Sequence, residues 1–440
     1  MKKTVVRLIF WGVPKGTPMW PTISFDTEKR AKEILKILEE NLPDFKFVGG
    51  TLIKNLDEAK ALLEEIGKEG EVCSIIFHLS SGWYNAYNIM KKLPTVVICD
   101  PFLWGYAGMI THSVNLRKKD IRGFIVSSSS WDEIFRAFKV IKAYNALREA
   151  KILVIGDHVL SAGRKTYSEA LKNIGAEIKF LDFKELREEF ENVDAEEVES
   201  LVDEFISKAN KIIEPSREEI IKSIRLYRAI KNLCLKYDAS GVTIDCLGGF
   251  YGKSLPAYPC IAFSLLDGEG GVMAACECDV DSLLTKIAMK EIADRPGFIS
   301  EPAVDTSRNV AIYAHCVSSI HMSGFSNPPE EYWIRSHAED DKGACVQVLF
   351  KGGIPATVMK IIPLERRILL LKGELLGHEE TEGGCRNKAV VKVADAQRLI
   401  DEWQHNWHRV LFYGDWVKEI TWLAKLMGFK VFMEPGGQDT

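Results

Sequence analysis

Over its first 150 residues the chain alternates short apolar runs with amphipathic stretches, and this constrains the fold more than any other feature. Residues 5–11 are apolar except for Arg7, as expected of a strand covered on both faces. Residues 26–42 then place apolar side chains at 31, 34, 35, 38 and 42, the spacing of one helical face, and Pro43 stops the pattern. Further strand-like runs are 45–48, 72–79, 95–99 and 123–126, with helical segments between most of them. Five strands with intervening helices predict a doubly wound parallel sheet.

The alternation restarts at 151–156, with a helix over 166–174 and a strand over 177–181. A long acidic helical stretch, 184–212, reads as a solvated face. Helix continues over 216–237, and 242–245 and 271–275 return to strand. From about residue 300 the pattern changes to short β runs at 345–350, 357–362, 368–371 and 389–393, separated by Gly- and Pro-containing turns. Gly352-Gly353 is expected in a hairpin-like loop. A helix near 415–427 and a strand over 430–432 end the pattern. The fold class expected is α/β in three domains: a Rossmann-like doubly wound domain over 1–149, a second α/β domain over 150–299, and a β-rich domain over 300–440 that contributes to the site.

A length of 440 residues agrees with two to four domains at ~100–200 residues each. The net charge of -5 gives no basic excess to attract nucleic acid. No stretch of ~18 apolar residues offers a membrane span. The apolar run after Met1-Lys2-Lys3-Thr4 is interrupted by Arg7 and ends in Pro14-Lys15-Gly16 with no small-residue cleavage pattern, so a buried first strand is expected rather than a signal peptide. Cytoplasmic location follows as an expectation. The ten cysteines are scattered, mostly inside apolar runs, and read as reduced core residues.

The densest chemistry is Ala274-Ala275-Cys276-Glu277-Cys278-Asp279-Val280-Asp281, where an apolar run delivers acids to the end of a strand and a helix follows. Ligands of α/β sheets bind beyond the carboxyl ends of strands. Asp279 or Asp281 is expected to cap the helix. Capping does not account for Glu277, a carboxylate at the end of a buried run that needs a metal or a base as partner. The Cys276-x-Cys278 spacing does not suit a structural zinc site, and along a strand both thiols would point away from Glu277. Both are therefore expected to be reduced and not to bind any metal that Glu277 holds. Gly252-Lys253-Ser254 lacks the glycine five residues upstream that a phosphate loop needs. His315 ends the apolar run 310–314, and His405 and His408 sit among Trp403 and Trp407 before another buried run; each is a candidate site residue or a packed core histidine.

These segments together resemble the L-fucose/L-arabinose isomerase superfamily, nearer its fucose-isomerase-related branch, across 259–285, 298–316, 335–373 and 405–415. The resemblance places Glu277 in the family's A-x-E-x-D segment. It places Glu301 in a phenylalanine-led acidic segment, with Asp305 as the alternative, and His408 before an apolar strand and Gly-Asp. It implies a metal-dependent aldose–ketose isomerase acting on a pentose, hexose or deoxysugar through an enediolate. Glu277, Glu301 and His408 would hold Mn²⁺ or another divalent cation, and Glu277 and Glu301 would act as acid and base. Trp407 stands where the family often carries a first histidine. Trp11, Trp104, His315 and Trp407 are expected to contact the sugar. The resemblance also implies a homo-oligomer, trimer or hexamer, with Trp83, Trp104 and Tyr106 of a neighbouring subunit's first domain forming a cover. A non-catalytic sugar-binding or regulatory protein on the same scaffold, or a related sugar epimerase or lyase, is the alternative.

Overall fold

The computed structural model describes residues 2–80, 86–103, 105–118, 120–156 and 163–435, with Tyr106 described by its backbone alone. Trp83 and Trp104 lie outside the described residues. The chain is mixed α/β and divides into two compact units, residues 1–145 with 419–429, and residues 146–418 with 430–440. Among the described residues, no helix is long and apolar enough to cross a membrane.

The first unit is built on a five-stranded, wholly parallel sheet. Its strands are β1 (Thr4–Trp11), β2 (Phe45–Ile53), β3 (Cys73–His78), β4 (Thr95–Cys99) and β5 (Gly123–Ser127), in the order β2-β1-β3-β4-β5. The helix Thr27–Asn41 starts where Asp26 accepts a hydrogen bond from the Lys29 amide, and it buries Ala31, Ile34 and Leu38. Arg7, the one charge in β1, is buried and paired with Glu71, which explains how the run tolerates it. The unit is completed from far along the sequence. Trp422, on the helix Val417–Met427, stacks on Phe124 at 4.8 Å between ring centroids, and Glu419 accepts from Arg136 at 3.2 Å.

The second unit begins with β6 (Lys151–Ile155) and β7 (Glu177–Leu181), followed by the short β8 (Lys211–Ile212), β9 (Gly241–Ile244) and β10 (Met273–Ala275). Four of these form a second parallel sheet in the order β10-β9-β6-β7. The acidic stretch 184–212 is not one helix. Asp194 caps a fresh start after Asn192, giving Phe183–Glu191 and Ala195–Lys208, and β8 ends it. Two helices that the periodicity does not reveal, Cys246–Tyr251 and Cys260–Glu269, lie between β9 and β10.

The strand-rich part follows with β11 (Phe298–Asp305), β12 (Val310–His315), β13 (Tyr332–Arg335), β14 (Cys345–Val348), β15 (Ile354–Ile362), β16 (Arg367–His378), β17 (Asn387–Lys392), β18 (Arg409–Tyr413) and β19 (Lys430–Met433). Six of these strands pair antiparallel in a closed cycle, β15-β18-β11-β12-β17-β16 and back to β15, so the sheet is a small barrel with β19 added in parallel on β16. The hairpin expected about Gly352-Gly353 does not form. β14 pairs with β13 in a separate sheet that includes β8, while β15 pairs with β16 and β18. Asn387 joins the two layers, accepting from the Val348 amide and donating to the carbonyls of Val346 and His315.

Candidate metal centre

The site grows from the end of β10. Lys286 and Asp267, both fully buried, clamp Ala274 from two sides: Asp267 accepts from its amide and Lys286 donates to its carbonyl. One residue after the strand the backbone turns sharply. Glu277 and Cys278 have φ of 59° and 54°, two successive non-glycine residues in the left-handed region. Such a conformation costs free energy and persists where surrounding bonds over-determine it. Here the Cys278 amide donates to Ile244 of β9, and the Asp279 amide donates to Cys276. Asp279 then caps the helix Val280–Ala293 by accepting from the Ser282 amide.

This turn corrects one expectation about the cysteines. Strand alternation does not extend to Cys276, and its Sγ lies within 4.8 Å of a Glu277 carboxylate oxygen and a His315 ring nitrogen. Cys278 belongs to no such cluster among the described residues.

Opposite the turn, four neighbouring barrel strands present one polar side chain each. Lys360 comes from β15, His408 from the residue before β18, Glu301 from β11 and His315 from the end of β12. His408 Nε2 lies 3.7 Å from Glu277 Oε2 and 3.6 Å from Glu301 Oε1, and His315 Nε2 lies 3.5 Å from Glu277 Oε1. These separations exceed hydrogen-bond length and match the ~3–4 Å between donors that share one ion. Glu277, Glu301 and His408 form one group able to hold a metal, and Cys276, Glu277 and His315 form another. Asp305 is not in either group. It accepts from Ser307 and Arg308 and shapes the turn after β11.

His408 is held from behind. Its Nδ1 is 3.0 Å from Asp279 Oδ2. An ionised carboxylate only accepts, so Nδ1 carries the proton and donates. The other nitrogen, Nε2, is buried and has no hydrogen-bond partner among the described residues, as in a histidine that serves a metal. The same Asp279 oxygen accepts from the fully buried Lys360 at 2.6 Å, and Lys360 also donates to Asn406. Burial works against the Asp279 carboxylate, but the charges of Lys360 and His408 hold it well below the usual carboxylate range. Burial likewise disfavours protonated His408, yet Asp279, Glu301 and Glu277 raise it to about 9 without a metal. Burial pushes Glu277 upward, and its two histidine neighbours outweigh that, leaving it below its ordinary value.

Arg409 sets the loop that carries His408. Its guanidinium is fully buried, forks onto Glu434 at 2.9 and 2.7 Å, and donates to the carbonyls of Gln404, Asn406 and His408. His405, the other histidine of that loop, bonds Glu365 and approaches Asp281 rather than joining the ligand group.

Of the residues expected to touch sugar, His315 lines a cavity of about 50 Å³ with Glu277 and Glu301. Trp407 is 59% exposed, with its ring centroid 6.1 Å from that of His408. Trp11 is buried in the core of the first unit with Ile9, Ile76 and Val97. Asp279, Lys360 and Arg409 are the residues that sequence reasoning did not assign to the site. Asp279 was legible only as a helix cap, and a basic residue inside the apolar run 357–362 was the signal for Lys360.

No protein-family model matches this sequence, and no curated protein matches it either.

Proposed function

We propose that the chain is a divalent-metal-dependent aldose–ketose isomerase, with Glu277, Glu301 and His408 as the metal ligands. The observation that carries this reading is the open His408 Nε2, buried without a hydrogen-bond partner among the described residues and facing two carboxylates at 3.6 and 3.7 Å. Two carboxylates and a neutral imidazole suit Mn²⁺, and leave room for oxygens of a substrate. When bound, such an ion supplies Lewis acidity for an enediolate and a template for two adjacent sugar oxygens.

The side chains supply the rest of the chemistry. Glu277, held below its ordinary pKa and largely buried, is ionised at neutral pH and fit to take a proton from carbon. Glu301, with 44% of its side chain exposed against 21% for Glu277, is the better placed to exchange protons with solvent. Asp279 and Lys360 fix the imidazole and keep Nε2 aimed at the carboxylates. Trp407 offers an exposed aromatic face beside His408 for the carbon backbone of an open-chain sugar.

The test is to load the protein with Mn²⁺, supply a panel of pentoses, hexoses and deoxysugars in D₂O, and follow the products by NMR. The expected result is ketose formed from one aldose class, with solvent deuterium retained on the carbon next to the carbonyl. Stoichiometric Mn²⁺ with no conversion of any member would overturn the reading in favour of a binding protein.

A further inference from the structure

The cavity beside Glu277 has a second pole that isomerisation does not use. Its wall includes Cys246, Cys260, Cys276, Cys316 and Cys385, so half of the chain's ten cysteines face or flank one small space. All ten are free thiols. Cys276 Sγ lies within 4.8 Å of a Glu277 oxygen and a His315 nitrogen. Cys246 Sγ, 3.1 Å from Cys276 Sγ, puts a second sulfur beside the first. His315 Nδ1 is buried with no hydrogen-bond partner among the described residues. Its Nε2 is 3.5 Å from Glu277 Oε1, too far for a hydrogen bond and close enough for both to bind one ion.

Donor type separates the two groups. Glu301 and His408 offer oxygen and imidazole, which suit Mn²⁺, while Cys276 and His315 offer sulfur and imidazole, which suit soft or borderline ions. Glu277 belongs to both groups. The strained turn at Glu277 and Cys278 brings the Cys276 thiol to the Glu277 carboxylate, where an extended strand would carry them apart.

We infer that Cys276, Glu277 and His315, with Cys246 as a further sulfur donor, form a second site for a thiophilic divalent cation such as Zn²⁺ or Cd²⁺. Occupation of this site withdraws Glu277 from the Mn²⁺ side and so inhibits the enzyme. The inference rests on the proposed isomerase site only in sharing Glu277.

Cd²⁺ is the probe, titrated into the Mn²⁺-loaded protein under reducing conditions. The ultraviolet thiolate-to-cadmium charge-transfer band reports the sulfur site, and electron paramagnetic resonance reports released Mn²⁺. Wild-type protein is expected to develop the band with one equivalent of Cd²⁺ and to release Mn²⁺ in parallel. Cys276→Ser, which leaves Cys246 as the one sulfur donor of the proposed site, should clearly diminish the band while still binding Mn²⁺, and Cys278→Ser should keep it in full. His315→Asn leaves every thiol in place and should weaken Cd²⁺ binding by at least ~10-fold; it decides the question if Cys276→Ser does not fold. Glu301→Gln should weaken Mn²⁺ binding and leave the Cd²⁺ band intact, so failure of the isomerase site and failure of the sulfur site are read separately. A band unchanged in Cys276→Ser, or in His315→Asn if that variant has to decide, overturns the proposal. So does a band that saturates while Mn²⁺ stays bound.

Discussion

His408 Nδ1 donates to Asp279 Oδ2 across 3.0 Å, so a residue that caps a helix also aims the imidazole of a barrel strand. The cap uses Oδ1 of Asp279 and the imidazole uses Oδ2, and the consequences can be separated by substitution. Asp279→Asn preserves a good helix cap but removes the charge that fixes the His408 tautomer. It also leaves the buried Lys360 ammonium with amide oxygens alone. Metal affinity should fall by ~10–100-fold, and stability by about 3 kcal/mol. Isothermal titration with Mn²⁺ and thermal melting on the same sample check both; unchanged affinity would remove Asp279 from the site.

Protonation of His408 gives the metal-free protein a defined pH response. Its pKa of about 9 stands above the ordinary 6.5, so the contribution to stability is fully present below 6.5 and is lost as pH rises through 9. Asp279 is lowered instead, so its contribution is present above the ordinary 3.8 and is lost only as pH falls further. Between pH 6.5 and 9 the melting temperature of metal-free protein should therefore decline, and His408→Asn should flatten that decline. If Mn²⁺ takes His408 Nε2 as proposed, it displaces a proton in the same window, releasing about one per ion near pH 7.5. Calorimetry in buffers of different ionisation enthalpy measures that release.

On the proposed mechanism Glu277→Gln, nearly isosteric, removes both a ligand charge and a base. The variant should remain folded and lose turnover by at least ~10²–10⁴-fold. Excess Mn²⁺ should not restore the rate, because proton transfer still lacks its carboxylate. A stable variant with near-normal turnover would show that Glu277 serves the turn and not the reaction.

Arg409 is a positioning residue for the His408 loop. Lysine keeps the charge but cannot fork onto Glu434 while holding three carbonyls. Arg409→Lys should lower stability by about 2–4 kcal/mol and weaken Mn²⁺ binding through disorder of residues 403–408. Weaker binding with an unaltered pH profile of turnover is the expected signature; loss of stability alone would confine Arg409 to the fold.

Membership of the candidate group came from the family resemblance, which alone singled out Glu301; position at the margin of an apolar run marked Glu277 and His408. Glu277 follows β10, Glu301 interrupts the apolar start of β11, and His408 precedes β18. Their convergence is geometric and no local pattern encodes it. Lys360 was missed because one basic residue in an otherwise apolar strand reads as a solvent-facing position, whereas here it is fully buried against Asp279. The direction of Cys276 was misread because alternation assumes extended backbone, and two left-handed residues end that assumption one position later. In the fold, the parallel sheets followed from runs of apolar residues, with β4 and β7 falling at the expected residues. The β15–β16 hairpin follows from the turn at Pro363, but closure of the barrel was not legible, since β15 also meets β18, far along the chain, with no turn to announce it.

The return of Trp422 to Phe124 bears on the order in which the molecule is made. Arg136 and its partner Glu419 are separated by 283 positions. At roughly 5–20 residues per second on the ribosome, about 15–60 seconds pass between synthesis of the two. Throughout that interval the first five strands can pair, but the aromatic face of Phe124 has no Trp422 to cover it. The nascent chain thus carries an apolar opening that closes only after Trp422 has been made.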